Sequence, residues 1–149
     1  MLSLMAILST AAALLFADAA NQPVSLTTVP AQPEVKKLDL NTIEQGIIAG
    51  TNAQRARYGL PALAIDPALQ QQARGQAAWM TNHQSLQHTT AAVGENIGMG
   101  QSSAEEVVTA WMNSSGHRAN ILNGGYRKIG AAAYTAPNGS IYWCEQFVP

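Results

Sequence analysis

The sequence predicts an α+β fold in which helices pack on a small antiparallel sheet, and three observations carry that reading. Apolar residues recur at helical spacing in three segments between residues 41 and 113. Two short apolar runs near the C-terminus flank Asn138-Gly139, a strong hairpin signal. Of the 149 residues 47% are apolar, enough for one hydrophobic core. Helices followed by strands, rather than alternating with them, point to a segregated α+β arrangement.

The first twenty residues, MLSLMAILSTAAALLFADAA, hold no Lys or Arg and close on small residues. Ala17-Asp18-Ala19 fits the A-x-A pattern of a signal-peptide cleavage site, so residues 1–20 read as a signal peptide cut after Ala19 or Ala20. The run is short for a membrane span, which needs about 20 apolar residues. Residues 21–37 contain three prolines and little periodic apolar content, and they read as a flexible leader. The folded domain is expected over 38–149.

Asn41 followed by Glu44 forms a capping box, and Ile43, Ile47 and Ile48 then recur at helical spacing toward Tyr58-Gly59. The stretch LPALAI is a short extended connection. Asp66-Pro67 opens a second helix, because Asp caps the first amides and Pro suits the first helical position. Its stripe is Leu69, Ala73, Ala77 and Met80, and it fades near Asn82-His83. Ser102 or Ser103 caps a third helix, with Glu105 and Glu106 in the first turn, where they complement the dipole. Val107, Val108, Trp111 and Met112 form its buried face, and HRANIL adds a single helical turn. KIGAAAY and IYWCEQF are the hairpin strands, with ENIGMG as a third strand candidate.

The net charge is −1, and no basic stripe with interleaved aromatics is present, which argues against nucleic acid as a partner. No polybasic patch offers itself to anionic lipid. The one cysteine, Cys144, excludes an intrachain disulfide, so stability rests on packing. Its apolar neighbours suit an inert buried thiol better than a nucleophile.

His88, Glu95 and His117 form the one titratable cluster with ligand or acid–base character. Two imidazoles and a carboxylate suit zinc with one position left for water, or general acid–base work without metal. The spacing H-x6-E-x21-H matches no short helical zinc motif. Taken singly, each residue also has an ordinary structural reading: a His at a turn, a Glu capping amides, an Arg118 paired with a carbonyl or acid, and Asn96 and Asn120 bonding backbone. His83 reads as a surface residue.

The ordered motifs together say more. They are N-x2-R-x2-Y-G-L-P-x-L from Asn52 to Leu63, D-P-x-L-x3-A from Asp66 to Ala73, H-T-x4-G-E-N-I from His88 to Ile97, W-M-x-S-x-G-H-R-x-N-I-L from Trp111 to Leu122, and Y-W-C-E-Q-F from Tyr142 to Phe147. The sequence resembles the CAP superfamily of cysteine-rich secretory, antigen 5 and pathogenesis-related 1 proteins, and is most similar to its small bacterial secreted members, the SCP-domain proteins. The resemblance runs from about residue 41 to 147. It implies a three-layer α–β–α sandwich with a small central antiparallel sheet, and a surface cleft lined by His and Glu that binds a divalent cation such as zinc in some members. Carried over, His88 and Glu95 match the first His and first Glu of that cleft, and His117 its second His in the bacterial pattern. The second Glu of many eukaryotic members is Ser114 here, leaving three ionisable ligands rather than four. Ser114, Arg118 and Gln146 are expected to contribute hydrogen bonds around the cleft.

Two functions follow as expectations. One is an exported, periplasmic or extracellular binding module for a small apolar molecule, a cell-wall component or a protein surface, with zinc or another divalent cation left open. The other is a zinc-assisted, protease-like hydrolase using the same cleft, with Glu95 as base or ligand. A catalytic Ser114 or Ser115 is weaker, because no acid is placed to orient His117 and no nucleophile elbow is present.

Overall fold

The computed structural model describes residues 40–149. The signal peptide expected over 1–20 and the leader expected over 21–37 lie outside the described residues. The elements run α1 (Thr42–Arg57), β1 (Ala64–Ile65), α2 (Pro67–His83), β2 (Gly94–Met99), α3 (Ala104–Asn113), α4 (Ser115–Ile121), β3 (Lys128–Thr135) and β4 (Ile141–Val148). No helix among them is long and apolar enough to cross a membrane.

Local chemistry sets most boundaries. At α1, the Asn41 side chain accepts from the Glu44 N–H at 2.9 Å and Glu44 accepts from the Asn41 N–H at 3.0 Å, completing the capping box. Gly59, just past the helix end, sits at φ +71°, a conformation that side chains with a Cβ rarely adopt. Asp66 caps α2 through the Ala68 and Leu69 amides, each at 3.0 Å. Ser103, not Ser102, caps α3 by accepting from Glu106 N–H at 3.1 Å. The expected single turn at HRANIL starts earlier, at Ser115, and is a seven-residue helix.

The sheet order is β1-β3-β4-β2. β2, β4 and β3 pair antiparallel, with Glu95 opposite Gln146, Asn96 opposite Glu145, and Ala132 opposite Cys144. The sheet is mixed rather than purely antiparallel, because the connection LPALAI supplies a two-residue edge strand parallel to β3. Two residues give no alternation pattern, so this strand has no signature in sequence.

Side chains leave the sheet toward two separate cores. Ile129, Ala131, Ala133, Trp143 and Phe147 join Ile47, Ile48, Val107, Val108, Trp111 and Ile121 of α1, α3 and α4. Ala132, Tyr142, Cys144 and Ile97 join Ala73, Ala77 and Met80 of α2. The result is the three-layer α–β–α sandwich. A sheet covered on both faces reads as nearly continuous apolar runs, as KIGAAAY and IYWCEQF do. Ile43 is the exception among the expected apolar positions of α1, at 43% exposure. The small residues of β3 have a steric reason: a Cβ on Gly130 would overlap the backbone of Leu69 and Gln70 at the start of α2.

The sheet edges are closed by side chains. On the β3 edge, Gln70 donates to Ala131 O at 2.6 Å and accepts from Ala131 N–H at 2.9 Å, as a further strand would. On the outer edge of β2, Asn120 donates to Glu95 O at 3.1 Å and the Trp111 indole to Ile97 O at 2.9 Å. Buried backbone carbonyls that would otherwise lack partners are satisfied this way. Arg55, fully buried, donates to Pro61 O at 3.0 Å, Ile121 O at 2.8 Å and Asn123 O at 2.9 Å, and so fixes α4 and its exit against α1.

Between α1 and the sheet lies Glu145, also fully buried. It accepts from the Thr51 hydroxyl at 2.6 Å and from Asn96 Nδ2 at 2.8 Å. Asn96 Nδ2 reaches His117 O at 3.1 Å, and Asn96 Oδ1 accepts from Asn120 at 2.9 Å. Burial raises the Glu145 carboxyl from 4.5 to about 7, against the lowering effect of the Thr51 and Asn96 bonds.

Two outcomes follow. A raised carboxyl means that the folded state holds the proton more tightly, so this stabilisation is complete below the unfolded value of 4.5 and is lost as pH rises through about 7. Glu145→Gln keeps two hydrogen-bonding atoms without the charge. It should flatten the fall in urea-unfolding free energy between pH 4.5 and 7, a fall on the order of 3 kcal/mol at full expression. Gly130→Ala should lower stability by about 3 kcal/mol, read from the denaturant midpoint, because backbone rather than a flexible side chain must move.

Candidate functional site

Glu95 is the centre of the site, and β2 places it. Register sets it opposite Gln146 on β4, on the face covered by α2. Its side chain is only 4% exposed, and both carboxylate oxygens are engaged. Oε1 accepts from Thr89 N–H at 2.9 Å and lies 2.8 Å from His88 Nδ1. Oε2 accepts from Gln146 Nε2 at 2.8 Å and from the Cys144 thiol at 3.7 Å. A carboxylate accepts only, so the His88 ring places its proton on Nδ1 and presents Nε2 outward. The His88 side chain is 59% exposed.

His117 comes from the other helical layer, on α4. Its backbone is held by the Asn96 bond to its carbonyl, and its ring makes no hydrogen bond among the described residues. Partial burial pushes its pKa below the ordinary imidazole value, and the charge of nearby His88 adds to that lowering. The two imidazoles thus sense each other although α2 and its following loop supply one and α4 the other.

The remaining expected cleft residues divide. Gln146 is fully buried and holds Glu95, while its Oε1 has no hydrogen-bond partner among the described residues. Ser114 is the N-cap of α4 and makes no side-chain capping bond. Arg118 is engaged elsewhere: it donates to the Tyr58 hydroxyl at 2.9 Å and its guanidinium lies 5.1 Å over that ring, tying α4 to the end of α1. Cys144 is fully buried, and burial first, then Glu95, pushes its thiol well above the usual range, as an inert thiol requires.

Among the described residues no group of three or more His, Cys, Asp or Glu side chains is arranged to hold a metal ion. The imidazole nitrogens that make no hydrogen bond among the described residues are His88 Nε2 and those of the His117 ring. Glu95 is turned inward and occupied, in the position of a carboxylate that orients a ligating histidine. Beside His88 opens a hollow of about 250 Å³ lined also by Gln76, Trp79, Gln87, Thr89 and Thr90.

Sequence reading passed over Trp79, Gln76 and Glu145. Glu145 bonds partners 94 and 49 positions away, which no local pattern reveals. An aromatic residue on the polar side of α2 was the one available signal for Trp79.

The fold defines a class, α–β–α sandwiches with a mixed four-stranded sheet between helical layers. The model of the cysteine-rich secretory protein (CAP) family matches residues 48–147, and the chain belongs to that family. It is 36% identical over 126 residues to the uncharacterized protein YkwD of Bacillus subtilis (strain 168), covering 73% of this chain and 48% of that protein. The chain therefore spans about half the length of this curated relative. Among solved structures, an extracellular SCP-domain protein of Bacillus anthracis superposes with a TM-score of 0.65 at 26% identity, over 80% of this chain and 44% of that one. An outer surface protein of Borrelia burgdorferi shares the fold, with a TM-score of 0.66 at 20% identity over 74% of this chain and 94% of its own.

Removing the neighbouring imidazole should show the coupling directly. In His88→Ala, the His117 midpoint followed by NMR should rise, yet stay below the usual value of about 6.5, because burial is the larger cause. A depressed imidazole stabilises the fold above its unfolded pKa, and that contribution disappears as pH falls through the folded value. Its slope is therefore opposite in sign to that of Glu145.

Proposed function

We propose that this chain is an exported CAP domain whose cleft at His88, Glu95 and His117 binds a ligand, with a divalent cation such as zinc held by His88 and His117 as part of the binding surface. The observation that carries this reading is the engagement of Glu95. It fixes the His88 tautomer and leaves Nε2 without a hydrogen bond among the described residues, while His117, which senses the His88 charge, is shifted toward the neutral, metal-binding form. Export is supported by the signal-peptide pattern of residues 1–20 and by the Bacillus anthracis relative, which is described as extracellular. The ligand classes are those expected from the sequence: a small apolar molecule, a cell-wall component or a protein surface.

The hydrolase alternative gains no support. A general base must present a lone pair to the attacking water. Glu95 is buried, with its oxygens committed to His88, Thr89, Gln146 and Cys144. Bound zinc would act here as a charge that attracts and orients ligand atoms.

Zinc added to the chelator-stripped protein should raise its melting temperature by several degrees, since a hundredfold excess over Kd stabilises by about 2.7 kcal/mol. His88→Ala should lose most of that shift, and Glu95→Gln should reduce it while leaving some binding. A wild-type protein indifferent to zinc at neutral pH refutes the cation and leaves the family assignment standing.

A further inference from the structure

The hollow beside His88 has a chemistry of its own. It lies between α2, which contributes Gln76 and Trp79, and the loop leading to β2, which contributes Gln87, His88, Thr89 and Thr90. The loop is pinned to the helix where Gln76 Nε2 donates to Gln87 O at 2.5 Å. Trp79 is 38% exposed, whereas the other two tryptophans, Trp111 and Trp143, are buried at 2% and 1%.

Trp79 is also braced. His83, one helical turn on, stacks against it with ring centroids 4.3 Å apart and planes 19° from parallel. The stack is locked because His83 Nδ1 lies 2.9 Å from the Trp79 carbonyl oxygen, so Nδ1–H donates to it. His83 does not line the hollow. An exposed aromatic ring fixed in this way loses little freedom when a ligand covers it.

The polar groups around the ring are largely unused. Among the described residues, no hydrogen bond takes up the Trp79 indole N–H, the Gln87 side-chain amide, Gln76 Oε1 or the Thr90 hydroxyl. Thr89 Oγ1 accepts one bond, from Ala91 N–H at 3.2 Å. Among the described residues no Asp, Glu, Lys or Arg lines the hollow, and neither does any aliphatic side chain longer than the threonine methyls. A charged ligand would find no counter-charge beyond His88, and an acyl chain no apolar wall. The fit is to a neutral molecule with an apolar face for the indole and a rim of hydroxyl or amide groups for Gln and Thr.

We propose that this hollow is a sugar-binding subsite that seats one ring of a neutral glycan on Trp79, with Gln76, Gln87 and Thr90 bonding its hydroxyl or acetamido groups. The proposal rests on the cleft reading above, since His88 lines both, and it narrows the ligand class to a carbohydrate. Trp79 is the anchor. The surrounding amides set orientation.

The test uses the full chain and uncharged N-acetylglucosamine tetramer as probe, with tryptophan emission as readout, because Trp79 is the exposed fluorophore. The tetramer should shift the emission saturably. Trp79→Ala should weaken binding about tenfold, measured by calorimetry, and Gln87→Ala should weaken it several-fold. Trp79→Ala should keep the zinc-induced rise in melting temperature, which confirms that the variant folds and separates the two readings. If the wild type does not bind the tetramer, or if Trp79→Ala binds it equally well, the sugar subsite is wrong whatever zinc does. Tetramer binding that depends on Trp79 in a protein blind to zinc would uphold the subsite and remove the cation alone.

Discussion

The structure depends on a sheet that is covered on both faces and must satisfy its polar groups from within. Four strands, one of them only two residues long, leave two edges inside a small domain. Each edge meets a side chain that takes the part of a missing strand: Gln70 at Ala131, and Asn120 and Trp111 at the carbonyls of β2. An unpaired buried carbonyl costs as much as a lost hydrogen bond, so these residues are demanded by the architecture. The same substitutes make poor templates for pairing with another chain, which protects a protein without disulfides from aggregation through its edges.

That constraint also builds the site. Asn120 closes the edge of β2 at the carbonyl of Glu95, and Asn96, next in the strand, holds the carbonyl of His117. Glu145 stands behind Asn96 and bonds Thr51 on α1. One polar network therefore fixes β2 and α4 relative to α1, and α4 carries His117. On the opposite face, Gln146 and the Thr89 amide hold Glu95, which holds His88. These residues draw on both helical layers around one strand, and the side chains that hold them come from β2 and β4.

Local rules were legible wherever a residue acts on its own helix or turn. The Asn41–Glu44 box, the Asp66 cap with Pro67 behind it and the Asn138-Gly139 hairpin all stand where their chemistry placed them, and of the two serines offered for α3 it is Ser103 that caps. The stripe Leu69, Ala73, Ala77 and Met80 is buried throughout. The candidate site was half legible. His88 and Glu95 lie seven positions apart and touch. Arg118 carries the same motif letters but spends its guanidinium on Tyr58, because the helical turn carries it toward the end of α1. The parallel edge strand was invisible, since two residues cannot show a period and its partner lies 64 positions on.

The sequence by itself determined where α1 and α2 start, the apolar stripe of α2, the hairpin, the family and the chemistry of the candidate site residues, because all of these follow from side chains acting over a few positions or from ordered motifs. Tertiary structure alone decided that Glu95 points inward to orient His88, that Glu145 is sealed between Thr51 and Asn96 with its proton held to about pH 7, and that Trp79 stands braced beside His88. The reason is physical: burial, register and electrostatic environment belong to groups that meet only after the chain has closed its long loops. A carboxylate written into a strand acquires its role from what the opposite strand and the covering helix bring against it.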